Sequence, residues 1–297
     1  MIRKPTRREV LAAALGTLAA ACTSSRTTPP AEGPRHGPAP LAEIEARAGG
    51  RLGVFAIDTG SGRQIAHRPD ERFAMCSTFK WILAAAVLAE VDRSRLALDE
   101  RVPYGASDLL EHAPRARAHL AEGQMTVEAL AEAAVTVSDN TAANLLLAKI
   151  DGPAGFTRFA RAIGDDVTRL DRTEPALNDN DPTDPRDTTS PRAMATTMRR
   201  VLCGDVLSAA SRERLLGWLR ACETGKERLR AGLPAGWTVG DKTGSGQRGA
   251  VNDVAIAVPP GRAPILVAAY LSDGHGELAA LAAAHADVGR LIGRELG

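Results

Sequence analysis

Ser77-Thr78-Phe79-Lys80 sets a hydroxyl and an amine three residues apart, a spacing that puts both side chains on one face of a helix. A serine hydroxyl is a poor nucleophile at neutral pH, and an adjacent amine can activate it only if burial or a second cation lowers the amine pKa. Taken alone the pattern is weak, because serine and lysine at this spacing are common on solvated surfaces. Its weight comes from the company it keeps downstream, in the order Ser138-Asp139-Asn140, then Glu174-Pro175-Ala176-Leu177-Asn178, then Lys242-Thr243-Gly244-Ser245. Glu174 and Asn178 supply a carboxylate and an amide that can hold one water between them, and the carboxylate can take that water's proton. Of the 37 basic residues only five are lysine, and two of these, Lys80 and Lys242, fall in the motifs. Where arginine is the default cation, a retained lysine points to a need for an amine that can lose its proton.

Together the motifs resemble those of the penicillin-recognising serine enzymes. The segment Arg169 to Asn178 narrows the resemblance to the class A serine β-lactamases, over the chain from about Leu41 to the C-terminus. The resemblance implies that Ser77 attacks a strained cyclic amide and becomes acylated, with either Lys80 or Glu174, acting through a water, as the first base. Ser138 would relay a proton to the departing nitrogen, Asn140 would contact the substrate's side-chain amide, and Asp139 would hold the loop through backbone hydrogen bonds. The backbone N–H groups of Ser77 and Ser245 would form the oxyanion hole. Lys242, Thr243 and Ser245 would meet the substrate carboxylate, with Gly244 permitting its close approach. Many relatives add an arginine at about the position of Val251; here Arg228 is expected to supply that cation, with Arg230 its nearest rival and Arg248 solvated. Glu174 and Asn178 would hold the deacylating water, the Glu174-Pro175 bond is expected to be cis as in relatives, and Arg172 would pair with Asp187 to close the loop. His112 stands where relatives usually carry an aromatic residue at the cleft mouth. Two other functions share part of this pattern: a D-alanyl-D-alanine peptidase or transpeptidase, which would not need Glu174 to Asn178, and a β-lactam-sensing receptor domain, which should carry a transmembrane signalling segment.

The elements that must position these residues can be read from hydrophobic period. Arg51 to Asp58 and Arg63 to Arg68 read as a hairpin around Thr59-Gly60-Ser61-Gly62, and strand patterns return at Thr238 to Lys242, Val251 to Val258 and Ile265 to Leu271. Apolar residues recur at helical spacing over Ser77 to Glu90, Thr126 to Val135, Thr141 to Ile150, Ser190 to Leu202, Ser211 to Cys222 and about Glu277 to Leu296. The expected fold is α/β: an antiparallel sheet flanked by helices, built from residues 41–68 and 223–297, and an all-helical domain over residues 69–222, with the active site at their junction.

Composition restricts the alternatives. A net charge of +1 over 297 residues gives no reason to expect a nucleic-acid partner, and the histidines show no His-Glu-x-x-His zinc spacing, so neither metal nor cofactor is called for. The expected partner is a small-molecule β-lactam, and the expected state is a monomer. Thr6-Arg7-Arg8-Glu9-Val10-Leu11 resembles a twin-arginine export signal followed by an apolar run, to Ala21, too brief for a membrane span. Residues 1–21 are therefore expected to be an export signal and 22–40 a flexible tether, with the mature protein secreted, periplasmic or lipid-anchored through Cys22; ordinary cleavage after the alanines is the alternative at that cysteine. Cys76 reads as a packed residue behind the nucleophile, and nothing in the sequence establishes that Cys203 and Cys222 meet.

Overall fold

The structure, a computed structural model, describes residues 39–297; the export signal, Cys22 and nearly all of the tether lie outside the described residues. In chain order the elements are α1 (Ala39–Ala48), β1 (Arg51–Asp58), β2 (Gln64–His67), β3 (Phe73–Ala74), α2 (Phe79–Asp92), β4 (Arg101–Pro103), α3 (Pro114–Ala118), β5 (Gln124–Thr126), α4 (Val127–Thr136), α5 (Asn140–Lys149), α6 (Gly152–Ala162), β6 (Thr188–Thr189), α7 (Pro191–Leu202), α8 (Ala209–Arg220), α9 (Leu229–Gly232), β7 (Thr238–Ser245), β8 (Val251–Val258), β9 (Ile265–Ser272) and α10 (Leu278–Leu296).

Five strands form one antiparallel sheet in the order β2-β1-β9-β8-β7. Both faces are covered, and the strand period of two sorts the side chains between them. Leu52, Val54 and Ala56 of β1, with Val267 and Ala269 of β9, pack against Leu41 and Ile44 of α1, Leu229 of α9 and Val288 and Leu291 of α10. Phe55, Ile57, Leu266, Ala268 and Tyr270 face the other way, into the core shared with the middle of the chain. That core is organised by α2, whose residues Phe79 to Ala89 are all buried and which touches α4, α5, α6 and α8. A helix apolar on every side has to be central, and replacing Leu83 in it with alanine would cost about 2–5 kcal/mol.

Four helices start on side-chain caps: Thr126 accepts from Ala129 N–H, Asp139 from Ala142 N–H, Ser190 from Ala193 N–H and Ser208 from Ser211 N–H. Each satisfies a donor the helix itself leaves free. The expected helix from Ser77 begins differently. Cys76–Thr78 is a 3-10 turn and the α-helix starts at Phe79, so Ser77 and Lys80 meet across a tightened first turn rather than along a regular helix face. The helical region also carries two short ladders, β3 with β6 and β4 with β5. Cys76, Cys203 and Cys222 are all free thiols, and no bridge joins Cys203 to Cys222.

Candidate active site

Two non-glycine residues in left-handed backbone conformation flank the candidate nucleophile: Cys76 at φ 46° and Ser138 at φ 60°. Such geometry costs about 1–3 kcal/mol per residue and persists only where the surroundings impose it. Here Asn252 donates to the carbonyls of Ala74 and Met75 at 2.9 and 3.1 Å, and Thr78 Oγ1 donates to Met75 O at 2.8 Å. Asp139 holds the opposite wall, as expected, by accepting from the backbone of Arg115, Ala116 and Ala142 at 3.0, 2.9 and 2.9 Å.

Between these walls, Lys80 Nζ lies 2.9 Å from Ser77 Oγ, 3.0 Å from Glu174 Oε1, 2.8 Å from Ser138 O and 2.5 Å from Asn140 Oδ1. An ammonium has three hydrogens and no acceptor. Four oxygens within 3.0 Å therefore compete for three hydrogens when Lys80 is a cation, and the neutral form of the amine can accept from Ser77 O–H. Burial holds the Lys80 pKa below the usual lysine range, against the opposing pull of the Glu174 carboxylate. Ser77 Oγ also reaches Glu174 Oε1 at 3.2 Å. The hydroxyl thus has two proton acceptors in reach.

Lys242 Nζ donates to Ser138 Oγ at 3.1 Å and to Thr243 O at 2.8 Å. Burial pushes its pKa down to about 8, with the positive charges of Lys80 and Arg228 acting in the same direction. Ser138 Oγ therefore sits between two amines, 3.4 Å from Lys80 Nζ on its other side.

Glu174 is fixed through its backbone as well as its carboxylate. Asn144 donates to Glu174 O at 2.9 Å and accepts from Glu174 N at 3.0 Å, a contact the motifs did not reveal. The signal was present, because Asn144 comes four residues after Asn140 and so shares its face of α5. Asn178 Nδ2 donates to Glu174 Oε2 at 2.6 Å, while Asn178 Oδ1 is buried with no protein partner. The Glu174-Pro175 bond is cis. Arg172 pairs with Asp187 at 2.5 Å, and Asp187 also accepts from the backbone of Asp171 and Arg172 at 2.7 and 3.0 Å. These contacts close the loop as expected.

The β7 edge supplies the remaining expected residues. A Cβ on Gly244 would fall 2.7 Å from Met75 O and 3.1 Å from Ser77 N. The glycine thus lets β7 close on the nucleophile's own turn, a tighter requirement than the expected approach of a substrate. Val251 is the register partner of Ser245 across β7 and β8, and Arg228 reaches the same strand from outside the sheet. Arg228 is buried and donates to Gly244 O at 2.8 Å, Asn252 O at 2.6 Å and Ser245 Oγ at 2.7 Å. Its rivals are committed elsewhere: Arg230 to the buried Asp241, and Arg248 to Asp273 in an exposed pair. His112 is exposed, with its ring 2.9 Å from Val137 O and its carbonyl accepting from Asn140 N at 2.9 Å, so it braces the Ser138–Asn140 turn. Cys76 packs behind the nucleophile, and burial raises its thiol pKa to about 12. Among the described residues no group of His, Cys, Asp and Glu is arranged to hold a metal. A cavity of about 520 Å³ beside Glu90, Arg93, Lys149 and Arg158 contains none of the motif residues.

The family model described as "Beta-lactamase enzyme family" matches residues 39–296. The chain is 50% identical over 279 residues to β-lactamase AST-1 of Nocardia asteroides, covering 90% of this chain and 88% of that protein. It is 44% identical over 309 residues to a β-lactamase of Streptomyces albus G, covering 99% and 98%. Its fold superposes on the solved class A β-lactamase of the last common ancestor of Gram-negative bacteria with a TM-score of 0.85 at 57% identity, covering 86% of this chain and 98% of that one. A nucleophile with two proton acceptors, a loop-borne carboxylate and this sheet between helices agree with these likenesses: the chain belongs to the class A serine β-lactamase family.

Proposed function

We propose that the protein opens the β-lactam ring of penicillins and cephalosporins by hydrolysis through an ester on Ser77, and so confers resistance to them. The observation that carries this is the position of Ser77 Oγ, 2.9 Å from Lys80 Nζ and 3.2 Å from Glu174 Oε1. In acylation the Ser77 proton passes to one of these two bases as the Oγ–carbonyl bond forms, and the carbonyl oxygen develops charge facing the N–H groups of Ser77 and Ser245. The ring C–N bond then breaks, and Ser138, between Lys80 and Lys242, delivers a proton to the departing nitrogen. Asn140 contacts the substrate's side-chain amide. In deacylation a water between Glu174 and Asn178 loses its proton to Glu174 and attacks the ester carbonyl, and Ser77 leaves with a proton returned through the same cluster. Lys242, Thr243, Ser245 and Arg228 bind the substrate carboxylate.

A D-alanyl-D-alanine peptidase would have no use for a second, loop-borne base, and the clamp of Asn144 on Glu174 favours hydrolysis over it. The site falls between residues 69–222 and the pair of segments 41–68 and 223–297, which we take as the domain division. Export rests on the Arg7-Arg8 pattern, with Cys22 as a candidate lipid site and a monomer as the working state; replacing both arginines with lysine should hold the protein in the cytoplasm. The function is tested by incubating the purified protein with benzylpenicillin and a chromogenic cephalosporin. Ring opening in the wild type and none in Ser77→Ala supports it, and equal turnover in the two sinks it.

A further inference from the structure

Thr224 lies in the connection between α8 and α9, exposed at the cleft beside β7. Its hydroxyl is 2.6 Å from that of Thr243 and 3.3 Å from the buried thiol of Cys222. The connection is fixed from both sides: Glu223 N–H donates to Thr136 O at 2.9 Å, and a Cβ on Gly225 would fall 1.6 Å from Asp241 Oδ2. The hydroxyl pair is therefore held by backbone rather than by chance rotamers.

A hydroxyl has one hydrogen to give. Within the Thr224–Thr243 pair one hydrogen is used internally, so the pair as a whole can donate only once to anything beyond it. The acceptor beyond the pair decides which end. With an anionic acceptor beside Thr243, the Thr243 hydroxyl gives its hydrogen to the anion and accepts from Thr224 at 2.6 Å. The surroundings favour an anionic acceptor: Lys242 occupies the Thr243 carbonyl at 2.8 Å, and Arg228 holds Ser245 Oγ at 2.7 Å.

We propose that Thr224 is a positioning residue that turns the Thr243 hydroxyl into a dedicated donor to the substrate carboxylate, an inference that rests on the carboxylate site proposed above. Such a donor binds ground state and transition state alike, because the carboxylate does not react. Its loss should raise KM and leave kcat in place.

The test compares benzylpenicillin with its methyl ester. Thr224→Val, which keeps the shape and removes the hydroxyl, should raise KM for the acid about three- to tenfold, the effect expected of one hydrogen bond between neutral groups, with kcat within about twofold. The ester's KM should not change, and Thr224→Ser should keep the acid's KM at the wild-type value. Thr224→Ala should repeat the valine result if the branched side chain disturbs the connection. An unchanged KM for the acid, an equal rise for acid and ester, or a loss confined to kcat overturns the proposal. Failure of the wild type to open either compound would instead overturn the hydrolase reading on which it rests.

Discussion

Lys80 Nζ lies 3.0 Å from Glu174 Oε1, and both side chains are closed off from solvent. The two residues come from elements far apart in sequence, the first turn of α2 and the loop before β6, and Ser77 Oγ contacts both. The pair links the two chemical steps, because the amine that can accept the serine proton is held by the carboxylate that can accept the water proton. In the proposed mechanism, proton exchange between them would reset either residue after each turnover.

Removing one member should therefore destabilise the fold as well as stop the chemistry. Lys80→Met leaves the Glu174 carboxylate buried without its cation, and breaking a buried pair in this way typically costs about 3–5 kcal/mol. The double variant Lys80→Met/Glu174→Gln should regain most of that loss in urea denaturation. If the single variant is as stable as the wild type, the pair is not electrostatically joined in the folded protein.

Catalysis and stability should respond to pH with opposite signs at Lys242. Its folded pKa of about 8 lies below the usual lysine value of 10.5. The charge that would meet a substrate carboxylate is thus lost as pH rises through about 8, and kcat/KM for carboxylate-bearing substrates should fall on that limb. Between the folded and unfolded values the unfolded chain binds more protons, so this group's contribution to stability should rise over the same window. Lys242→Arg, which keeps its charge, should push the alkaline limb upward. A limb unmoved in that variant would assign the titration to another group.

The three arginines near the β7 edge should separate by type of effect. Arg228→Ala should lower kcat/KM for carboxylate-bearing β-lactams by about 1.5–3 kcal/mol, the range for a hydrogen bond to a charged group. Arg230→Ala should act mainly on stability, since it strips the partner from Asp241, whose Oδ2 already has none. Arg248→Ala breaks an exposed pair and should cost less than about 1 kcal/mol in either measure. Equal kinetic losses at all three positions would refute the assignment of Arg228.

Much of this was legible in the sequence because the elements and motifs carry local signals. The β1–β2 hairpin, the helices that begin near Thr126 and Ser190 and the strands β8 and β9 arise from period and turn chemistry. What was not legible depends on tertiary contact. α6 begins Gly152-Pro153 and has Gly155 in its first turn, a poor helix signal by propensity. Yet a Cβ on Gly155 would fall 1.4 Å from Ile150 O, so the residue that weakens the pattern is the one the packing requires. α1 is short, and its Leu41, Ile44 and Ala48 are buried only because the sheet and α10 are there to receive them. At the site, the motifs named Lys80 and Glu174 but not their contact; Asn144 shared a helix face with Asn140, yet its partner on the Glu174 backbone was not legible, nor was Thr224 against Thr243. Such pairings across 30 and 19 residues are fixed by the fold.

The central claim is that Glu174 activates the water that frees Ser77, and intact-protein mass spectrometry of Glu174→Ala with benzylpenicillin tests it most directly. Loss of a positioned general base typically slows a step about 10²–10⁴-fold, and the upper end is expected here because Glu174 is the carboxylate in contact with both Ser77 and Asn178. The predicted result is a stoichiometric burst, then near-zero turnover, with the protein heavier by one substrate mass and the adduct absent from Ser77→Ala. Wild-type turnover with no accumulated adduct in Glu174→Ala would contradict it.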